Sequence, residues 1–192
     1  MIAQLRGRLV EKNPTEVVID CNGVGYQVNI SLFTFEKLQD ENVTLFTHLQ
    51  VREDAQILWG FHDKGEREIF RQLLSVTGIG ASTARTMLSS LTPQQVAQGI
   101  ASGDVRLIQS VKGIGAKTAQ RVIIDLKDKV LATEAMQGTF NAAGNTARDE
   151  ALSALETLGF TRKAVDKVLD SILRENASAT TELLIKDALK QL

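Results

Sequence analysis

The chain has 192 residues, of which 43% are hydrophobic, so it is long enough for one or two globular domains. No stretch is long and uncharged enough to cross a bilayer, and Met1 is followed by Gln4, Arg6 and Arg8 rather than by the apolar core of a signal peptide. We therefore expect a cytoplasmic protein with no membrane partner. The chain has a single cysteine, Cys21, which excludes an internal disulfide and a cysteine-rich metal site.

The charge of the chain is unevenly distributed. A net charge of −1 by itself argues against a nucleic-acid partner. However, residues 1–62 have 5 basic and 8 acidic side chains, residues 63–131 have 10 and 6, and residues 132–192 have 7 and 9. A basic middle segment thus lies between two acidic ends. Because the local field steers a polyanion, the middle segment is the predicted site of nucleic-acid binding.

Residues 1–62 have the pattern of strands. Five short segments rich in Val, Ile, Leu and Phe cover residues 5–10, 15–21, 24–30, 43–51 and 56–61. Asn22-Gly23 between two of them supplies the positive φ of a tight hairpin, and residues 31–38 indicate a short helix or an irregular connection. Five strands in so short a segment favour a closed, OB-like β-barrel, with a flat meander as the alternative.

Helical spacing begins at about residue 63. Ile69, Leu73 and Leu74 share a helical face, and Thr92 with Gln95 three residues later has the pattern of a capping box. Residues 63–131 are therefore predicted to form an all-α domain. Residues 132–147 (ATEAMQGTFNAAGNTA) are small, polar and without periodicity, which predicts a flexible linker. Residues 148–192 have three apolar stripes, which indicate a three-helix, UBA-like module, so the predicted fold class is α+β with several domains.

The middle segment contains an internal repeat. Residues 73–84 (LLSVTGIGASTA) recur as residues 108–119 (IQSVKGIGAKTA), with eight of twelve positions identical. In each copy the first glycine (Gly78, Gly113) is suited to a left-handed turn that ends the leading helix, and the isoleucine after it is expected to face the core. The second glycine (Gly80, Gly115) has no side chain to keep a phosphate away from the first turn of the next helix.

Two such units in tandem are the signature of the helix-hairpin-helix motif, which binds DNA phosphates. The repeat and its cationic neighbours predict the following phosphate-binding residues: Gly78, Gly80, Ser82, Thr83, Lys112, Gly113, Gly115, Lys117, Thr118 and Arg121.

Other interpretations of these glycines fit less well. A P-loop needs lysine directly after the glycine, whereas Ala116 separates Gly115 from Lys117, and a dinucleotide fingerprint needs a third glycine. No catalytic residue and no cofactor is predicted, since His48 and His62 are isolated. The alternative function is a helix-hairpin-helix repair enzyme, a nuclease or glycosylase. Asp125, the one acid at a suitable distance, lies on a continuing helix without a nearby proline.

The order of these parts resembles the RuvA family, the DNA-binding subunits of the bacterial Holliday-junction branch migration complex. The likeness spans the whole chain and includes Leu-Arg-Gly at 5–7, Gly-Val-Gly-Tyr at 23–26, Phe-Thr-His at 46–48 and Val-Arg-Glu-Asp-Ala-Gln at 51–56. It implies roles in DNA recombination, repair and the SOS response. It also implies a homotetramer on an open four-way junction, as one tetramer or as an octamer of two. A hexameric RuvB-type ATPase and a junction resolvase are the implied partners.

The resemblance adds roles for two further pairs of residues. From the residues alone, Glu53 and Asp54 are a solvated turn between two strands, whereas the resemblance implies an acidic pin at the centre of the junction. Leu158 and Phe160 flank Gly159 and are candidates for an exposed patch, which the resemblance implies would bind the motor. Ser82 stands where relatives often have lysine. The sequence therefore leaves open whether the first hairpin contacts phosphate through side chains or only through backbone amides.

Overall fold

The computed structural model describes residues 1–141, 147–176 and 179–192. Over these residues the chain forms five strands and nine helices. They belong to two units, Met1–Ala132 and Thr133–Leu192. The predicted barrel and the predicted helical repeat both lie in the first unit.

The strands close into a barrel in the order β1-β2-β3-β5-β4. They are β1 (Gln4–Asn13), β2 (Glu16–Cys21), β3 (Val24–Ile30), β4 (Asn42–Val51) and β5 (Gln56–Phe61), with helix α1 (Leu32–Lys37) between β3 and β4. Neighbours are antiparallel except for β3 and β5, which pair in parallel. Alternate residues such as Val17, Ile19 and Leu45 fill the interior. The closed barrel confirms the predicted OB-like fold over the flat meander.

The tight turn between β2 and β3 forms as the sequence predicts. Asn22 and Gly23 have φ angles of 56° and 89°, which lie in the left-handed region that a two-residue hairpin with the right twist requires. The register then continues from Cys21 opposite Val24 to Glu16 opposite Asn29.

Five helices follow β5, and the first of them packs against it. They are α2 (Lys64–Leu74), α3 (Ala81–Ser90), α4 (Pro93–Ser102), α5 (Val105–Gln109) and α6 (Ala116–Asn141). Phe70 of α2 is fully buried, with its ring centroid 4.8 Å from that of Phe61 and 5.5 Å from that of Trp59. The last strand of the barrel therefore shares a core with the helices. The predicted capping box of α4 is present, with Thr92 and Gln95 each accepting from the backbone N–H of the other.

A buried carboxylate joins α1 to the start of α2. Glu66 is fully buried, and its side chain accepts hydrogen bonds from the Ser31 hydroxyl, from Thr34 Oγ1 at 2.5 Å and from the His62 backbone N–H at 3.1 Å. Burial raises the pKa of Glu66 above its ordinary value, although the three hydrogen bonds act in the opposite direction. These contacts set the direction in which α2 leaves the barrel.

Substitution of Glu66 by alanine is expected to lower the free energy of unfolding by about 2–4 kcal/mol, since the buried hydroxyls of Ser31 and Thr34 lose their charged acceptor. Glu66→Gln should lower the free energy of unfolding by a smaller amount, and it should also change how that free energy depends on pH. Because the pKa of Glu66 is raised in the folded chain, the folded state binds its proton more tightly. Between the ordinary and the raised pKa, stability therefore increases as the pH falls. Denaturant titrations at several pH values measure the free energy of unfolding of the wild-type chain and of Glu66→Gln. In the pH range between the two pKa values, the wild-type chain should gain stability relative to Glu66→Gln as the pH falls. Glu68→Ala, an exposed change on the same helix, is the control, and equal stability of both alanine variants would contradict the expectation.

Arg85 fastens α3 to the barrel. Its Nη1 atom lies 3.4 Å from both the Thr15 carbonyl oxygen and Asn29 Oδ1, and its guanidinium lies 5.6 Å from the centroid of the Trp59 ring. One turn further along α3, Ser89 Oγ accepts from the Leu32 backbone N–H at 3.1 Å. The first helical repeat is thus tied to the barrel through both of its helices.

Helix α6 is longer than the sequence predicts. It extends to Asn141, so the predicted flexible linker of residues 132–147 is wrong for residues 132–141, and residues 142–146 lie outside the described residues. Ala, Glu, Met and Gln in this segment have high intrinsic helix propensity and no proline interrupts them. Propensity therefore extends the helix where the apolar periodicity stops.

The second unit contains three further helices. They are α7 (Ala147–Thr157), α8 (Arg162–Glu175) and α9 (Thr181–Ala188), and Leu155, Val165, Leu169 and Leu184 are fully buried among them. Arg148 of α7 bridges Asp166 and Asp170 of α8 at 3.0 and 2.8 Å. The three-helix module is as predicted. No described helix of the chain has the length and the hydropathy needed to cross a membrane.

Candidate nucleic-acid interface

The two copies of the repeat have the same backbone geometry. Gly78 and Gly113 have φ angles of 96° and 91°, as predicted for left-handed turns. Within each turn the isoleucine N–H donates to the carbonyl three residues earlier, at 3.0 Å for Ile79 and 3.1 Å for Ile114. Both isoleucine side chains face the core and are only 6% and 5% exposed. The sequence repeat is therefore also a structural repeat.

The leading helices end earlier than the sequence predicts. Helix α2 ends at Leu74 and α5 at Gln109, four residues before the glycine of each turn. Ser75 Oγ donates to the Gln72 carbonyl and Ser110 Oγ to the Leu107 carbonyl, both at 2.7 Å. Each serine hydroxyl thus donates a hydrogen bond to a carbonyl group of the last helical turn. The first glycine of each copy forms the hairpin turn that follows and does not itself terminate the helix.

The second glycine of each copy leaves an open space in front of the next helix. Gly80 is the N-cap of α3 in an extended conformation, and a Cβ atom added at Gly80 or Gly115 would have no neighbour within 4 Å. The first helical hydrogen bonds are Ala84 N–H to Gly80 and Ala119 N–H to Gly115, both at 2.9 Å. The N–H groups before them have no acceptor within the helix, and α3 has no side-chain cap. Each helix start therefore has the geometry of an anion site.

The two hairpins contact each other directly. Arg121 of α6 donates from Nη1 to the carbonyl of Thr77 in the first hairpin at 3.2 Å. Ala84 and Ala119 are both completely buried, which lets the helices of the two copies approach closely. Arg121, predicted to contact phosphate, thus uses one donor to hold the hairpins together, while its side chain remains exposed.

The side chains predicted to contact phosphate differ between the hairpins. In the second hairpin Lys112, Lys117 and Arg121 are exposed, and Thr118 is half-buried. In the first, Ser82 is exposed and Thr83 half-buried, and residues 75–84 include no cation. The first hairpin therefore offers amides and hydroxyls, and the second adds three positive charges.

An acidic turn lies at the tip of the β4–β5 hairpin. The strand pairing continues to Val51 opposite Gln56, and the Arg52 N–H donates to the Ala55 carbonyl at 2.8 Å. Glu53 and Asp54 occupy the two positions at the tip, and both are exposed. The structure thus has the projecting acidic turn that the sequence predicts, in the same unit as the two hairpins.

Comparison with known proteins agrees with this arrangement. The profile of the RuvA N terminal domain matches residues 1–60, that of the SAM-like helix-hairpin-helix tandem matches 70–128, and that of the RuvA C-terminal domain matches 146–192. Proteins from Christiangramia forsetii and Flavobacterium psychrophilum are 59% and 58% identical to the chain, and one from Bacteroides thetaiotaomicron is 46% identical. Each alignment covers 100% of both chains, and each relative is named Holliday junction branch migration complex subunit RuvA. The chain belongs to the RuvA family.

The RuvA C-terminal domain exposes one of the two residues predicted for a partner-binding patch. Leu158 is 61% exposed, whereas Phe160 is half-buried and packs against the core of the domain. Gly159 has a φ of 100°, and the Phe160 N–H donates to the Leu155 carbonyl at 3.2 Å. This is the usual C-terminal helix cap, in which the residue after the glycine folds back onto the helix. Leu158 is therefore exposed as expected and Phe160 is not, while binding of a partner at Leu158 stays a prediction.

Two residues that join the helices of the first hairpin to the barrel were missed by the sequence analysis. Glu66 and Arg85 connect the barrel to α2 and α3 through partners between 4 and 70 residues away. The only local signal is that Glu66 follows Asp63 at the spacing of a capping box. Asp63 Oδ1 does accept from the Glu66 N–H at 2.8 Å, but the Glu66 side chain turns into the protein. Among the described residues, no group of three or more His, Cys, Asp or Glu side chains could hold a metal ion.

Proposed function

We propose that this chain is the non-catalytic, junction-binding subunit of a cytoplasmic branch-migration complex in homologous recombination and DNA repair. The observation that carries the proposal is the pair of hairpins with the same turn geometry, each with a helix start behind a glycine open to solvent. The names of the relatives support a four-way junction as the ligand.

The hairpins would act on the phosphate backbone rather than on the bases. Backbone amides at a helix start bind anions without distinguishing one base from another. Lys112, Lys117 and Arg121 would add affinity that depends strongly on salt, because each neutralised phosphate releases a counterion. Since the first hairpin is fixed to the barrel and the second hairpin is fixed to the first, their spacing would select the shape of the DNA.

The assembly that we propose is a homotetramer, whose four-fold symmetry would match the four arms of the junction. The acidic turns would then meet near the crossover, where negative charge repels phosphates and favours separation of the strands. The C-terminal unit would bind a RuvB-type hexameric ATPase, which supplies the energy for branch migration. A second tetramer on the opposite face and a junction resolvase are further proposed partners.

Incubation of the purified protein with DNA tests the proposal. A synthetic four-way junction should be shifted at lower protein concentration than a linear duplex of equal length, with little dependence on base sequence and with weaker binding at high salt. The DNA should be recovered without cleavage or base loss. Cleavage or base release by the protein alone would instead identify the alternative, a helix-hairpin-helix repair enzyme.

Reversal of charge at the acidic turn is expected to reduce discrimination between DNA shapes. In Glu53→Lys/Asp54→Lys, affinity for linear duplex should rise about tenfold or more, because two repulsive charges become attractive, and the preference for the junction should shrink. Titrations of both DNA forms at one salt concentration measure the ratio. Glu11→Lys/Glu36→Lys makes the same change of charge elsewhere on the barrel and serves as the control. Unchanged affinities for both DNA forms would reduce the turn to a solvated surface feature.

A further inference from the structure

The helix start of the first hairpin has no cation from its own repeat. Residue 82 corresponds to residue 117 in the repeat, so Ser82 stands at the position that Lys117 occupies in the second hairpin. Both side chains are exposed, on the first turn of the helix behind the second glycine. Residues 75–84 contain neither lysine nor arginine. A phosphate at Gly80 would therefore meet amides and hydroxyls of this repeat but no positive charge.

A cation of the second repeat reaches the first hairpin. Arg121 of α6 donates from Nη1 to the Thr77 carbonyl at 3.2 Å, which places its guanidinium beside the turn. The turn is tight, since the Ile79 N–H donates to the Val76 carbonyl at 3.0 Å, and Gly80 follows directly. A guanidinium has five N–H donors, of which this contact uses one. The exposed Arg121 side chain thus brings a charge and further donors to the first hairpin.

This contact between the repeats is one-sided. The residue that corresponds to Arg121 in the first copy is Thr86, and its hydroxyl donates to the Ser82 carbonyl of its own helix at 2.9 Å. The next cation of α3, Arg85, is directed to the barrel, where it contacts the Thr15 carbonyl at 3.4 Å. The hairpin without a lysine at its helix start is therefore the one that receives an arginine from the other repeat.

The acids of α6 leave the charge of Arg121 available. Asp125 lies one turn further along the same face and Asp128 follows it, while Lys117 lies one turn before Arg121. Neither aspartate forms an ion pair with Arg121 in the part of the chain that the structure describes. Lys117 also offsets the nearer negative charge. The guanidinium is therefore free to attract an anion at the first hairpin.

We propose that Arg121 supplies the positive charge of the first hairpin, so that one phosphate is held by amides of α3 and by a guanidinium of α6. The inference rests on the proposed function and assigns Arg121 to the hairpin of the other repeat. Arginine suits this role, because its planar group can donate to a phosphate while another N–H stays on the Thr77 carbonyl. The phosphate and the turn are then bound by the same side chain.

Relocation of the charge tests the proposal. Arg121→Gln should weaken junction binding about tenfold or more, and the dependence of affinity on salt should fall by about one phosphate contact for each subunit. Ser82→Lys should restore both in the Arg121→Gln chain, because the lysine returns a charge to the same phosphate. In the wild-type chain Ser82→Lys should raise affinity by a much smaller factor, since that phosphate is already neutralised. Band-shift titrations at several salt concentrations measure all four chains.

Lys117→Gln is the matched control, because it removes the same charge from the second hairpin. Ser82→Lys should change the affinity of Lys117→Gln by the same factor as that of the wild-type chain, since the two sites bind different phosphates. The three substituted side chains are exposed, so every variant should fold, which thermal unfolding checks.

Three results would overturn the inference, and each identifies a different role for Arg121. Equal gains from Ser82→Lys in the wild-type and Arg121→Gln chains would place its phosphate at the second hairpin. Weaker binding of Arg121→Gln with an unchanged dependence on salt would make Arg121 only a tie between the hairpins. Unchanged affinity and salt dependence would leave it a solvated side chain. Absence of junction binding by the wild-type chain would instead contradict the proposed function itself.

Discussion

Replacement of Gly80 and Gly115 together by valine is expected to abolish junction binding while leaving the fold intact. Both glycines have backbone conformations open to any residue, and an added Cβ meets no protein atom within 4 Å, so the variant should fold normally. The new methyl groups would instead occupy the space in front of the first N–H groups of α3 and α6. Loss of charge-assisted hydrogen bonds at two sites corresponds to about 3 kcal/mol or more, which is a loss of affinity of about 100-fold or more.

A band-shift titration with a four-way junction measures this effect, and thermal unfolding monitors the fold. Gly25→Val is the matched control, since Gly25 is an exposed glycine of β3 with ordinary backbone geometry. Gly78 and Gly113 are unsuitable for this test, because their positive φ angles would strain a valine and confuse misfolding with lost binding. A double variant that folds and binds junctions like wild type would show that the hairpins are not the phosphate site.

A chain truncated before Ala147 is expected to bind junctions with near-normal affinity and to fail completely in branch migration. Among the residues whose burial is described, each unit has its own hydrophobic core, so Met1–Ala132 should keep its fold without the C-terminal unit. Both hairpins and the acidic turn lie in the part that remains. The C-terminal unit has the exposed Leu158, and residues 132–192 have 9 acidic and 7 basic side chains, which suits a protein partner better than DNA.

Pull-down and ATPase stimulation with a RuvB-type motor measure the loss, and junction titrations measure what is retained. The complementary fragment, residues 147–192, should bind the motor and not DNA. Loss of junction binding on truncation, or DNA binding by the isolated fragment, would contradict this division of roles.

The sequence alone determined the features of this protein that are local along the chain. The Gly-Ile-Gly repeat, the Asn22-Gly23 turn and the Thr92 capping box each depend on residues within a few positions of one another. In these three features the backbone conformation follows from the φ preferences of the residues and from short-range hydrogen bonds. Both can be predicted from the residue types. The same holds for the barrel strands, which the short segments rich in Val, Ile, Leu and Phe predict.

Only the tertiary structure decided how these parts are joined. The partners of Glu66 on α1, of Arg85 on the barrel and of Arg121 on the first hairpin lie 32 to 70 residues away, and no local pattern specifies them. The early ends of α2 and α5, the extension of α6 to Asn141 and the burial of Phe160 also differ from the sequence-based expectation. In each case a hydrogen bond, helix propensity or a packing contact competes with the periodic signal, and the outcome depends on groups that meet only in the folded chain.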